Sequence, residues 1–261
     1  MTAERPKRHY RRREDLRSLL VEEGAQLLAD EGIRGGENVT LARVIQRLAD
    51  RGHARVTTGS VLGPTRLWTS QREFQLEVQA SLAASSFGAP PLDSTLEEID
   101  GCLATADLST GEGRSRCLRE LCRLVGQANF NALVAHRPWR VLLAILGTTL
   151  STPPTDDDDV ILEALRRSDR ADVEEQQAVL YAPLLELLQM RVRPQFEPDG
   201  LRLLVVAVTG LAAGLSLHAR SHAEEIAGIS LPDPDGSESE WHLFALGLDA
   251  LVHYFLEPVN P

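Results

Sequence analysis

Residues 57–76 read TTGSVLGPTRLWTSQREFQL and lie between two amphipathic helical patterns. The small polar residues at the start predict a short helix over 58–62. The Gly-Pro pair that follows ends this helix, because proline can neither continue a helix nor donate to its hydrogen-bond ladder. A longer helix is predicted over about 70–82. The stretch thus predicts a short helix, a loop that carries Trp68, and a long helix.

Two further helices are predicted upstream of this stretch. The first runs from about Glu14 to Glu31 and ends at Gly32, a natural cap. The second begins after Thr40, whose hydroxyl can accept a hydrogen bond from a free backbone N–H, and stops at Gly52. A helix, a tight turn near a glycine and a short second helix form the helix-turn-helix pattern, whose second helix can enter the major groove of DNA.

Downstream, helical periodicity continues without a convincing alternating strand pattern, so the chain is predicted to be all-α. The segment SSFGAPP at 85–91 predicts a domain boundary. The expected organisation is a basic N-terminal arm at 1–13, a helix-turn-helix DNA-binding domain at 14–86, and a larger helical ligand-binding and dimerisation domain at 92–261. Helical patterns in the last domain are predicted at about 94–108, 113–136, 138–150, 157–167, 171–192, 199–222 and 237–256.

Charge is distributed unevenly along the 261 residues, whose formal net charge is −11. Residues 1–80 carry 14 basic and 11 acidic side chains, a net of +3, so the remaining 181 residues carry 13 and 27, a net of −14. The first 13 residues hold six basic groups and one acidic group, an arm that would attract the phosphates of a nearby duplex. The other interpretation of this arm is a solvated tail.

Small residues at the start of the short helix suit a close approach to DNA. The hydroxyls of Thr57, Thr58 and Ser60 can reach phosphates or base edges. Gly59 has no side chain to hold the backbone off the duplex. By itself, such a segment is more often a capped turn.

The order of basic arm, helices, aromatic residue and long helix over about 14–82 resembles the TetR family of bacterial transcriptional regulators. In that family a Thr opens the second helix, a Gly-Ser or Gly-Thr pair opens the recognition helix, an aromatic residue follows it, and a basic residue near the start of helix four holds a phosphate. These positions fall here on Thr40, Gly59, Ser60, Trp68 and Arg72.

The chain departs from the family in the recognition helix. The usual tyrosine-rich stretch is replaced by Val61, Leu62 and GPTRL, so the helix is short and residues are inserted before the tryptophan. Arg66, or N-terminal arginines lying in the minor groove, would then supply the missing phosphate contact. The implied DNA-binding residues are Arg11, Arg12, Arg13, Thr40, Arg43, Arg55, Thr57, Thr58, Gly59, Ser60, Val61, Arg66 and Arg72. The alternatives are surface arginines at 43, 55 and 72, and a tryptophan that caps the small domain's core.

The last two helices are apolar on wide faces, and the resemblance implies that they form a homodimer by packing as a four-helix bundle. Gly210 and Gly214, four apart, would allow close helix approach. The run at 203–217 falls short of the roughly 20 residues that cross a bilayer, so a buried helix is expected there. The expected interface residues are Leu204, Val208, Leu211, Leu215, Trp241, Phe244, Leu248, Val252 and Phe255. The other interpretation is that these faces are buried within the monomer.

The resemblance also implies a small-molecule effector, bound in the larger domain. Polar residues on otherwise apolar central helices are the candidates for orienting it, and each is alternatively a satisfied core or surface residue. These candidates are Asn129, Asn131, His136, Trp139 and Tyr181. His218 and His222 could ligate a metal, but no third ligand is identifiable. The acidic run at 156–159 suits a helix N-terminus better than a cation site.

The leading hypothesis is a repressor without a cofactor: a dimer on a roughly palindromic double-stranded DNA operator, released when the effector binds. An enzyme is disfavoured, since the chain has no Gly-x-Ser-x-Gly elbow and no His-Glu-x-x-His motif, and the single lysine, Lys7, excludes a phosphate loop ending in Gly-Lys. The polar start and the odd number of cysteines favour a cytoplasmic protein without disulfides or a membrane partner. The alternative is a helical ligand-binding or interaction protein of the same fold that has lost sequence-specific DNA binding.

Overall fold

The computed structural model of the chain describes residues 13–32, 39–53, 56–85, 93–151, 155–176, 182–219, 221–232 and 238–259. Helices dominate these residues, which confirms the predicted all-α character. The helices are α1 (Arg13–Glu31), α2 (Leu41–Asp50), α3 (Thr58–Val61), α4 (Gln71–Ser85), α5 (Asp93–Thr105), α6 (Gly111–Ala135), α7 (Arg137–Ser151), α8 (Asp156–Gln176), α9 (Ala182–Leu187), α10 (Gly200–His218), α11 (Ala223–Ile226) and α12 (Leu243–Phe255).

Four short strands form two antiparallel ribbons that the helical patterns did not predict. β1 (Met190–Val192) pairs with β4 (Leu256–Pro258), and β2 (Ile229–Pro232) pairs with β3 (Glu238–Trp241). The predictions of continuous helix at 171–192 and 237–256 are therefore wrong at β1 and β3. Strands of three or four residues are too short for an alternating pattern to distinguish them from a helical one.

The predicted helix boundaries in the first part of the chain are confirmed. Gly32 has a φ of 75°, and its N–H donates to the carbonyl of Leu28 at 2.8 Å. Gly52 ends α2 with a φ of 81°. At the other end of α2, the hydroxyl of Thr40 accepts a hydrogen bond from the N–H of Arg43 at 3.3 Å. Left-handed glycines and a hydroxyl N-cap thus terminate these helices as local sequence dictates.

The chain divides into two compact units, and the division differs from the predicted domain order. Unit 1 comprises residues 1–86 and 140–168, and unit 2 comprises 87–139 and 169–261. Val141, Ile145 and Ile161 belong to the same buried apolar cluster as the side chains of α1 to α4. Most of α7 and the first part of α8 therefore complete the core of the N-terminal unit, although they lie beyond the predicted boundary.

Unit 2 is built around the packing of α6 against α12 and of α12 against α10. A Cβ built on Gly126 of α6 would lie 2.9 Å from the Cα of Ala245 in α12, so only glycine permits this approach. Phe130 stacks on Phe244 with ring centroids 5.2 Å apart. The α5 helix packs on the other end of α6 through a second apolar cluster.

The α10 helix is much more exposed than expected from its apolar sequence. Only 17% of its 18-residue apolar window is buried, which contradicts the expectation of a buried helix. Leu203, Val206 and Leu217 are 38%, 53% and 67% exposed. This helix is long and apolar enough to cross a membrane, but core helices of soluble proteins can have the same length and composition. The described residues of unit 2 thus leave an apolar face of this helix exposed.

Candidate nucleic-acid interface

The α3 helix is a single turn that presents three small residues to solvent. Ser60 closes it: its hydroxyl donates to the carbonyl of Thr57 at 2.6 Å and accepts from the N–H of Thr57 at 3.3 Å. Thr57, Gly59 and Ser60 are exposed, and Thr58 is partly exposed. A Cβ built on Gly59 would meet nothing within 4 Å. The sequence-predicted contact residues 57–60 therefore form an open surface.

Val61 differs from the other candidates in α3 because its side chain is buried. Only 1% of it is exposed, and it belongs to the apolar cluster that joins α1, α2 and α4. Thr58 and Val61 are three residues apart and so share one helix face, the side turned toward the core, while Gly59 and Ser60 face solvent. Val61 thus anchors α3 and cannot read a base edge.

The loop after α3 is held by Trp68, which is fully buried. Its ring packs edge-on against that of Phe74, with the ring centroids 4.8 Å apart, and its Nε1 donates to the Glu77 carboxylate at 2.6 Å. The same carboxylate pairs with Arg17 at 2.7 Å. The interpretation of the tryptophan as a cap on the small domain's core is confirmed. The carboxylate of Glu77 links Trp68 to α4 and, through Arg17, to α1.

Two of the basic candidates, Arg13 and Arg66, are brought together by the fold. The guanidinium of Arg13, at the start of α1, donates to the backbone carbonyl of Arg66 in the loop after α3. Both residues are exposed, and neither forms an ion pair within the described parts of the chain. Their juxtaposition places two positive charges beside the turn that follows α3.

Two other basic candidates are paired with carboxylates. Arg43 lies 2.5 Å from the carboxylate of Glu31, and Arg72 lies 2.8 Å from that of Asp157 at the start of α8. Both pairs are well exposed, with 45% and 61% of the arginine side chains accessible. Exposed ion pairs contribute about 1 kcal/mol or less, so a phosphate could replace either carboxylate at small cost.

Several predicted residues lie outside the described part of the chain. These are Arg11, Arg12, Arg55 and the effector candidate Tyr181. The predicted contacts of the N-terminal arm rest on the first two of them, so only Arg13 represents the arm in the structure.

A buried charge cluster that sequence reasoning missed fixes α1 against α2. Glu23 is only 6% exposed, yet it lies 2.6 Å from Arg47 and 2.5 Å from Arg51. The contact with Arg47 is an ion pair without a hydrogen bond, because Oε1 of Glu23 receives none from the described residues. Arg47 also pairs with Asp30 at 2.6 Å. No sequence pattern indicates this cluster, because its members come from two helices that meet only in the fold.

The effector candidates are not brought together. Asn129 and Asn131 are exposed, because they flank the buried Phe130 and each lies about 100° away from it around α6. Trp139 is 1% exposed, and its Nε1 donates to Ser216 at 3.1 Å, so it is a satisfied core residue. His136 caps the end of α6. The expected orienting set in one apolar pocket is therefore not formed by the described residues.

Unit 2 does contain polar atoms that the sequence did not single out. The guanidinium of Arg119 stacks over the ring of Trp241, with 5.1 Å between Cζ and the ring centroid. Arg119 Nε and Trp241 Nε1 are both buried and lack a hydrogen-bond partner among the described residues. Buried N–H donors of this kind are usually satisfied by ordered water or by a bound ligand.

The predicted dimer residues form much of the monomer's own core. Five of the nine are buried within the single chain, and the remainder are partly buried against α6, α10 or α12. The buried ones are Leu204, Trp241, Phe244, Val252 and Phe255. The other four are Val208, Leu211, Leu215 and Leu248. The interpretation that these faces are buried within the monomer is the one that matches the structure.

No family model, curated protein or solved structure matches this chain. The exposed turn, its buried anchor and the neighbouring arginines must therefore be interpreted from their own chemistry. Metal chemistry has no support from geometry: among the described residues, no group of three or more His, Cys, Asp or Glu side chains could hold an ion. His218 and His222 lie with ring centroids 5.6 Å apart, and both are exposed.

Proposed function

We propose that this protein is a DNA-binding transcriptional regulator of the TetR type, a repressor that a small-molecule effector releases from a palindromic operator. The observation that carries the proposal is the combination of an exposed start and a buried last residue in α3. Thr57, Gly59 and Ser60 are exposed, while Val61 fixes α3 in the core. A rigidly anchored turn of small polar residues is what close contact with a duplex requires.

The positive charges that would hold the phosphates come from the loop after α3, the start of α1, and the first turns of α2 and α4. Arg13 and Arg66 are juxtaposed and exposed, and the exposed pairs of Arg43 and Arg72 can exchange a carboxylate for a phosphate. Unit 1, residues 1–86 and 140–168, carries 17 basic and 16 acidic side chains, a net of +1, whereas unit 2 carries 10 and 22, a net of −12. This segregation directs a polyanion to unit 1.

Homodimerisation is proposed to use the exposed face of α10 in place of the residues expected from the sequence. That face carries Leu203, Val206, Gly210, Gly214 and Leu217, and no charged residue occurs from 203 to 217. A Cβ built on either glycine would meet nothing within 4 Å, so a second helix can approach closely there. Uncharged faces of this kind are self-complementary about a twofold axis.

A second function is favoured by a specific observation, the length of α3. This helix has four residues, fewer than a recognition helix uses to span a major groove, and Arg43 and Arg72 already hold carboxylates. The alternative is therefore a helical ligand-binding or interaction protein that keeps the shape without reading DNA sequence.

Selection from a random duplex pool distinguishes the two functions. A regulator enriches a palindromic sequence, and fluorescence anisotropy then shows a preference for it over a scrambled duplex that persists when salt is raised. Gly59→Leu should weaken binding to the enriched duplex by at least tenfold (~1.4 kcal/mol) without lowering the melting temperature. Gly101→Leu is the matched control, because a Cβ at that exposed helical glycine also meets nothing within 4 Å.

Each outcome of these experiments identifies which proposal is wrong. If no sequence is enriched, or if all duplexes bind alike and lose affinity together as salt rises, the protein does not read sequence and the interaction-protein function takes precedence. If a sequence is enriched but Gly59→Leu binds it unchanged, DNA is read elsewhere on the molecule and the role assigned to α3 is wrong.

A further inference from the structure

Two cysteine sulfurs meet where α5 packs on α6. The Sγ atoms of Cys102 and Cys117 are 3.8 Å apart, and Cys102 Sγ also lies 4.0 Å from the carbonyl oxygen of Cys117. Cys117 is 3% exposed and Cys102 is partly exposed. All three cysteines of the chain are free thiols in this structure. Two unbonded thiols in van der Waals contact can be oxidised to a disulfide.

Hydrogen bonds close the loop between the two helices that carry the pair. The loop between the helices is closed by Asp107, whose carboxylate accepts from the N–H of Ser109 at 3.1 Å, and by Thr110, which caps α6. A disulfide requires the sulfurs to approach to about 2.05 Å, a closure of roughly 1.8 Å that small rotations of two side chains on adjacent helices can share. The hairpin therefore holds the two thiols in register for bond formation.

We propose that Cys102 and Cys117 are a reversible oxidation site, which forms an intramolecular disulfide when the protein meets a peroxide. The sulfur of Cys102, the more exposed of the two, attacks one oxygen of hydrogen peroxide, becomes a sulfenic acid and releases one water. The Cys117 sulfur then displaces the hydroxyl from that sulfenic acid, which forms the S–S bond and releases a second water. Two thiols thus lose two protons and two electrons, and one peroxide is reduced to two waters.

The surroundings of the pair raise the pKa of both thiols and so slow their oxidation. Burial raises the pKa of Cys102 to about 12, and the neighbouring Cys117 and Glu120 act in the same direction, against Arg123. Burial also raises the pKa of Cys117, although the hydrogen bond from Cys102 opposes this. Thiolate is the reactive form, so the site reacts slowly and responds to sustained exposure. Disulfide formation would then clamp α5 to α6, and a cellular dithiol reductant would release it.

Cys122 is the internal control that the chain supplies. It lies five residues beyond Cys117 on α6, so its side chain points about 140° away from that of Cys117 around the helix. Cys117 faces Cys102 of α5, and Cys122 does not. Cys122 is 5% exposed, and burial raises its pKa to about 12 as well. It therefore shares the chemical environment of the pair but lacks the sulfur neighbour.

Mass mapping of the full chain after treatment with hydrogen peroxide tests the proposal. Trypsin places the three cysteines on separate peptides, 73–114, 117–119 and 120–123. We expect a loss of two of the three titratable thiols, a mass decrease of the oxidised chain by two hydrogens, and a cross-linked peptide joining 73–114 to 117–119 that dithiothreitol separates. The melting temperature should rise on oxidation and return on reduction.

Variants assign the roles of the two sulfurs. Cys117→Ser should leave a sulfenic acid on Cys102 that dimedone traps, Cys102→Ser should leave residue 117 unmodified, and Cys122→Ala should oxidise like the wild type. The proposal is overturned if all three thiols remain titratable under excess peroxide, if the cross-link involves 120–123, or if only intermolecular disulfides form. Circular dichroism confirms that each variant is folded, and the wild-type peptide map decides the question without them.

Discussion

At the scale of single residues, Glu23 joins α1 to α2. A carboxylate this deeply buried is stable in a fold only because Arg47 of α2 and Arg51, the residue after α2, neutralise it. The α2 helix in turn contacts α3. A buried side chain thus helps to hold the helix against which α3 packs.

Removing this charge should destabilise unit 1. Glu23→Gln leaves Arg47 and Arg51 without their shared partner in a partly buried site, and we expect a loss of about 2 kcal/mol. Glu31→Gln is the matched control: its pair with Arg43 is exposed, so its cost should stay below about 1 kcal/mol. Urea unfolding at pH 7 measures both. Equal losses in the two variants would contradict the assigned role of burial.

His253 makes stability depend on pH in unit 2. The carboxylate of Asp249, 3.2 Å from His253 Nδ1, is the largest cause that raises the pKa of His253 above its ordinary value of 6.5. The carbonyl of Asp249, 2.9 Å from the same nitrogen, acts in the same direction, while burial and Arg119 oppose the rise. Because the folded state holds the proton more tightly, this contribution is fully present below pH 6.5 and is lost as pH rises through the folded pKa.

The His253→Gln variant isolates this effect from other titrating groups. The wild type should be more stable than the variant near pH 6, and the difference should shrink as pH rises toward 8. His242, whose pKa is lowered by burial, contributes with the opposite sign in both proteins and so cancels in the difference. Chemical denaturation at several pH values gives the two curves, and a constant gap between them would disprove the linkage.

At the scale of elements, the crossing of α1 and α4 depends on one glycine. A Cβ on Gly24 would lie 2.7 Å from Cγ2 of Val78 and 3.3 Å from Cζ of Phe74. Both neighbours are fully buried and have no room to withdraw. Since α4 also carries Glu77, which holds the buried tryptophan behind α3, this crossing aligns the parts of the candidate interface.

The substitution Gly24→Ala is therefore expected to destabilise the protein by about 1 to 3 kcal/mol, as overpacking of a core does. Helix propensity alone predicts the opposite sign, a gain of roughly 0.5–1 kcal/mol, and this gain should appear at Gly101→Ala in the open middle of α5. Thermal and urea unfolding of the pair checks the two signs. A stabilised Gly24→Ala would show that α1 and α4 do not approach as closely as described.

At the scale of the whole molecule, the exposed face of α10 is the feature that a monomer leaves unexplained. A large uncharged surface on a chain of net charge −11 is stable in water when a second surface covers it.

Val206→Glu should break this dimer, because the twofold places two carboxylates at the centre of an apolar contact. We expect the dissociation constant to rise by at least tenfold (~1.4 kcal/mol), measured by sedimentation velocity. Val160→Glu serves as the control, since that valine is similarly exposed, at 46% against 53%, but lies in α8. A wild type that sediments as a monomer at all concentrations, or a variant that dimerises normally, would refute the proposed interface.

The sequence alone determined where the first three helices begin or end. Thr40 as an N-cap, Gly32 and Gly52 as terminators, and the brevity of α3 all follow from bonds and dihedral preferences within a few residues. The buried anchoring of Trp68 was also inferred, because an isolated aromatic residue beside a turn has few ways to avoid water. These features are local, so neighbouring residues suffice to encode them.

The tertiary structure alone decided which faces are covered. Asp157 pairs with Arg72 from 85 residues away, and Glu23 finds its arginines 24 and 28 residues downstream. The expected dimer residues turned out to be core, and the opposite face of α10 was left open, because an apolar stripe does not specify whether a helix of the same chain or of another will cover it. The meeting of Cys102 with Cys117 has the same origin, since side-chain partners are chosen by packing between elements and not by spacing along the chain.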